Sequence, residues 1–109
     1  MKTTIQKAVN DIITASGSAN LTDVLDYLGL PVIYGKLPRE VKGLLILERE
    51  TPKKIIINTD IQNDKAKRNI AIAKQIGNAV LHRTLDPSRS IAQEHQAADE
   101  FAVLLLEKL

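Results

Sequence analysis

The stretch Arg68-Asn69-Ile70-Ala71-Ile72-Ala73-Lys74-Gln75-Ile76-Gly77-Asn78-Ala79-Val80-Leu81-His82 decides how this chain folds. It has no proline, one glycine and an almost unbroken apolar content, which predicts a helix buried through the middle of a small domain. Lys74, Gln75 and Asn78 interrupt the apolar run. Residues four apart lie one above the other on a helix, so Lys74, Asn78 and His82 make a polar row along one face. A polar row on a central helix marks the place to look for a site.

Upstream, Asp60 is expected to cap this helix, which is read from about Ile61 to His82. Before it stand two apolar, β-branched-rich runs, Gly43 to Arg49 and Lys54 to Asn58. Glu50-Thr51-Pro52-Lys53 joins them as a hairpin connection, and Pro31 to Tyr34 makes a third, short strand. Leu44-Leu45-Ile46-Leu47 and Ile55-Ile56-Ile57 do not alternate, which predicts strands covered at least in part on both faces. Gly35 to Lys42 is a connecting loop. Nearer the N-terminus, Ile5, Ala8, Val9, Ile12 and Ile13 have amphipathic-helix spacing, with Thr3 or Thr4 as cap and Ser16-Gly17-Ser18 as the end. A second helix buries Leu21, Val24, Leu25 and Leu28, with Asn20 as N-cap, Asp23 in its first turn and Gly29 as C-cap; Pro31 stops it.

Downstream, Arg83 to Ser90 reads as a polar loop, and Ser90 can cap a last helix running from Ile91 towards Leu109. Ile91, His95, Ala98, Ala102 and Leu105 share one of its faces, with Phe101 beside them. The order α-α-β-β-β-α-α predicts one α+β domain over residues 1–109, with a small antiparallel sheet packed on a central helix.

Composition narrows the function. The 109 residues suffice for one modest core, and 44% hydrophobic with 26% charged residues is ordinary for a globular chain. The absence of cysteine excludes disulfides, zinc–thiolate sites and thiol nucleophiles. No signal peptide is read, and no apolar run approaches the ~18–20 residues that span a bilayer, so a cytoplasmic protein without membrane contact is expected. The net charge of +2 is scattered and only three aromatic residues are present, so direct nucleic-acid binding is not expected.

Several segments, in order and spacing, resemble the ImmA/IrrE family of zinc metallopeptidases, a zincin-like fold. They are Leu28-Gly29-Leu30-Pro31-Val32, Leu37-Pro38-Arg39-Glu40-Val41-Lys42-Gly43, Ile55-Ile56-Ile57-Asn58 and Ala98-Asp99-Glu100-Phe101-Ala102. The resemblance implies a small domain of phage, mobile-element or bacterial origin that acts on a helix-turn-helix repressor. The family's central helix carries a segment ending in alanine, then His-Glu-Leu-Gly-His, then a further histidine. This chain writes Ile70-Ala71-Ile72-Ala73, then Lys74-Gln75-Ile76-Gly77-Asn78, then Ala79-Val80-Leu81-His82.

The positions that carry chemistry in the family differ here. Lys74 stands for the first zinc histidine, Gln75 for the general base, Asn78 for the second histidine and Ala97 for the acidic ligand of the last helix. A protonated lysine has no lone pair to give a metal, and a glutamine takes no proton near neutral pH. A zinc hydrolase needs three protein ligands and a bound water. The expectation is therefore a catalytically inactive, metallopeptidase-like protein with no catalytic residue, no metal and no cofactor. It would regulate by binding a protein partner such as a helix-turn-helix repressor.

Three alternatives stand beside it. His82, His95 and Glu94 or Asp99 could form a rearranged metal site that still cleaves a repressor, or remain a residual polar cluster on the helix rims. Lys74 either snorkels to the cleft mouth or replaces the metal's charge by pairing with Glu94 or another carboxylate of the last helix within about 4 Å. The apolar run Phe101 to Leu109 exceeds one helix face, so Leu104, Leu105, Leu106 and Leu109 either pack beneath the first helix or form an interface with a second copy or another partner, a structural or assembly role.

Overall fold

The computed structural model describes residues 2–17, 20–81 and 91–108, with side chains at 2, 3 and 91–94 left aside. Among these, four helices and a three-stranded sheet follow the order α1 (Lys2–Ser16), α2 (Leu21–Leu28), β1 (Val32–Gly35), β2 (Gly43–Glu48), β3 (Thr51–Asn58), α3 (Lys65–Leu81), α4 (Ile91–Lys108). The fold class is α+β.

α2 forms as its sequence dictates. The Asp23 N–H donates to Asn20 Oδ1 at 2.8 Å, and Gly29 closes the helix at φ 69°, a left-handed conformation that costs glycine nothing. α1, by contrast, begins at Lys2, so Thr3 and Thr4 lie inside it and neither caps it.

The sheet is mixed, not antiparallel throughout. β2 and β3 form the expected antiparallel hairpin, but β3 also lies between β2 and β1 and runs parallel to β1, with Ile33, Ile56 and Leu44 abreast. The chain reverses twice between β1 and β3, so β3 returns in β1's direction. Inserting it between the other two strands makes the pairing parallel. The hairpin is also tighter than expected. Arg49 and Glu50, at φ 52° and 66°, form the turn, and β3 starts at Thr51. Pro52 is accommodated by a register shift between Ile46 and Leu47 on the partner strand, since proline cannot complete a regular ladder.

The start of the central helix is also corrected. A short 3-10 turn, Thr59–Ile61, intervenes, capped by Asn58 Oδ1 accepting from the Asp60 N–H. α3 then begins at Lys65, where Asp64 rather than Asp60 serves as cap by accepting from the Lys67 N–H at 3.1 Å. The expected Ser90 cap and the 83–90 loop lie outside the described residues.

α3 packs across β2 and β3, and the other helices assemble around it rather than on the sheet. The core joins Ile5 and Val9 of α1, Val24 of α2, Ile55 and Ile57 of β3, Ile72 and Ile76 of α3, and Phe101 and Leu105 of α4. Ile33 and Leu44 remain 45% and 40% exposed, so the helix layer covers one sheet face and not both. No described helix is long and apolar enough to cross a membrane.

Candidate functional site

α3 and α4 position the polar row. Gly77 permits their close contact: a Cβ there would stand 3.1 Å from three atoms of Phe101, which is fully buried. With the backbones this near, side chains on the rims of the two helices meet. Lys74 Nζ lies 2.8 Å from Asp99 Oδ1, so the ion pair expected between Lys74 and the last helix forms with Asp99. The two side chains are 43% and 56% exposed, which places the pair at a solvent-facing mouth.

One step around α3, Asn78 Nδ2 donates to Gln75 Oε1 at 3.0 Å. Gln75 also abuts the sheet, because a Cβ at Gly43, the first residue of β2, would come within 3.5 Å of its Cγ. Lys74, Gln75 and Asn78 are all half-buried, whereas Ala97 is buried in the core. These four positions do not suit a zinc ion. An ammonium, two amides and a methyl group supply neither an imidazole nor a carboxylate.

Of the remaining predicted polar residues, the described part of the chain brings Asp99 to the row. His95 is exposed on α4, Asp99 is engaged with Lys74, and His82 and the Glu94 side chain lie outside the described residues. Among the described residues no group of three or more histidine, aspartate or glutamate side chains is placed to hold a metal. The leucine run divides. Leu105 is fully buried, so it belongs to the monomer core and is not available to an interface. Leu104 and Leu106 pack partly against that core, and Leu109 is not described.

Two features escaped the sequence reading. Among the described residues Asn58 is the one buried polar side chain; its Nδ2 donates to the carbonyls of Leu37, Pro38 and Val41 at 2.9–3.2 Å. It ties down the loop that carries the chain from β1 to β2 across the end of β3. A terminal asparagine after three isoleucines was the only signal of this. The second feature is the open edge of β2. The Asn58 N–H donates to Lys42 O, and the Ile55 N–H donates to Pro31 O on the β1 side. By the alternation of an antiparallel ladder, Gly43 and Leu45 therefore turn their N–H and C=O groups away from β3, towards the sheet edge. Among the described residues β2 pairs with β3 alone.

Compared with protein-family models, curated proteins and solved structures, the chain matches none of them.

Proposed function

We propose that this chain is a catalytically inactive, zincin-like protein of the ImmA/IrrE type, encoded by a phage or mobile element and acting in the cytoplasm. Its role is to bind a protein partner, such as a helix-turn-helix repressor, without cutting it. The reading rests on the sequence resemblance, and one observation carries its mechanistic part: the row where the family places its hydrolytic constellation is internally neutralised. Lys74 is paired with Asp99 and Gln75 with Asn78, so the three positions that match the family's zinc histidines and general base hold an ammonium and two amides.

The β2 edge next to that row supplies the means of binding. Outward-turned backbone groups at Gly43 and Leu45 can add an extended partner segment as a further strand, while Leu44 and Leu47, both exposed, flank it with apolar contacts. The partner would then lie along the sheet edge beside Gln75, across the mouth of the row.

The test is co-purification with the repressor encoded beside the gene, followed by amide hydrogen exchange on the complex. Capture of the repressor intact, with slowed exchange at Gly43 and Leu45, is the expected result. Capture of a cleaved repressor by metal-replete protein would establish the rearranged-site peptidase instead. Failure to bind the repressor would sink the reading.

A further inference from the structure

The outer face where α3 and α4 meet carries a groove of ≈ 490 Å³ lined by Ile70, Lys74, Asp99, Val103, Leu106 and Glu107. Ile70 is 45% and Val103 57% exposed. Single exposed aliphatic residues are common, but two sharing one groove on adjoining helices make a patch. A neighbouring cavity shares Ile70 and Lys74 with this groove and adds Lys67 and Lys42 to the same face.

The charges along it are segregated. α3 contributes lysines, Lys67 and Lys74, and α4 contributes carboxylates, Asp99 and Glu107. The helices run antiparallel here, because Ile70 shares the groove with Leu106 while Lys74 reaches Asp99. Lys67 and Glu107 therefore mark one end and Lys74 and Asp99 the other, with Ile70 and Val103 between them. Each wall thus has a charge, an aliphatic residue and a like charge within about two helical turns.

Such a face is complementary to itself. A half-turn about an axis along the groove lays the basic wall of one copy over the acidic wall of the other. Lys67 then meets Glu107 and Ile70 meets Val103, while the Lys74–Asp99 pairs of the two copies lie against each other with opposite charges apposed. We propose that this α3/α4 face is an isologous homodimer interface whose occupant is a second copy of the same chain. A uniformly charged partner such as nucleic acid would be attracted by one wall and repelled by the other. Among the described C-terminal leucines, Leu106 lines the groove, while Leu105 stays in the core.

The experiment is sedimentation equilibrium of the full chain from about 1 μM to about 300 μM, the range in which standard interfaces of modest affinity are populated. The expected species has twice the 12.0 kDa protomer mass and dissociates as salt is raised. Val103→Lys and, separately, Lys67→Glu should each weaken association at least about tenfold, because each places like charges or an unpaired charge in the interface. Both positions are exposed, so far-ultraviolet circular dichroism should be unchanged. The double variant K67E/E107K swaps the opposed charges at one end of the groove and should restore association to within about threefold of the parent. A chain that stays monomeric to the top of the range overturns the proposal. So does a dimer indifferent to Val103→Lys, or one in which the double variant associates no better than Lys67→Glu alone.

Discussion

Asn58 and Lys74 are both polar residues in a mostly apolar neighbourhood, and their energetic roles are opposite. Asn58 Nδ2 faces three carbonyls with two hydrogens, so its contacts to Leu37, Pro38 and Val41 share donors, and its Oδ1 is occupied by the Asp60 N–H. Removing this amide leaves buried acceptors unsatisfied. Asn58→Ala should cost about 2–3 kcal/mol in urea denaturation, in line with the loss of a buried multiply bonded group. Asn58→Asp should cost more, since a carboxylate would face carbonyl oxygens. The Lys74–Asp99 pair is solvent-facing, and a double-mutant cycle with Lys74→Met and Asp99→Ala should return a coupling below about 1 kcal/mol. A larger coupling would make the pair a structural tie. At this scale the sequence showed which residues were polar and in which row, but Asn58's three partners lie 17 to 21 positions away and could not be read from it.

Among the elements, α2 was legible because every determinant is local: an asparagine cap, apolar spacing and a glycine that accepts positive φ. The β2–β3 turn was not. Arg49 and Glu50 adopt left-handed conformations at φ 52° and 66°, a conformation that neither residue prefers. Nothing local requires the turn there, whereas the loop around Pro52 looked favourable. Cross-strand pairing overrides that preference, because turning at residues 49 and 50 sets Leu45 opposite Ile55 and Gly43 opposite Ile57. The stored strain gives a prediction. Replacing Arg49-Glu50 with Asn-Gly should stabilise the protein by about 1 kcal/mol, seen as a higher urea midpoint with unchanged slope. A lower midpoint would mean that the two native side chains contribute contacts outweighing the strain.

For the whole molecule, the two-layer arrangement makes the faces of the sheet unequal. Ile57 is fully buried against the helices, whereas Ile33 is half exposed on the other side. Ile57→Ala should cost about 3–4 kcal/mol, as large-to-small core changes do, and Ile33→Ala about 1 kcal/mol or less. Equal costs for the two would show that the outer sheet face is also covered in solution.

The order of elements, the α+β class, the α2 caps and the polar row of α3 follow from the sequence alone, because periodicity and capping act within a few residues. Only the tertiary structure decided that β3 inserts between its neighbours, that Asp99 is the carboxylate facing Lys74, that Leu105 lies inside, and that Ile70 and Val103 share an outer groove. The strand order depends on which strand of the hairpin meets β1, and the other three on which face a helix turns inward. Continuous apolar runs such as Ile55-Ile56-Ile57 and Ala102-Val103-Leu104-Leu105-Leu106 leave that open, since every residue in them is suited to burial and packing against distant elements selects among them.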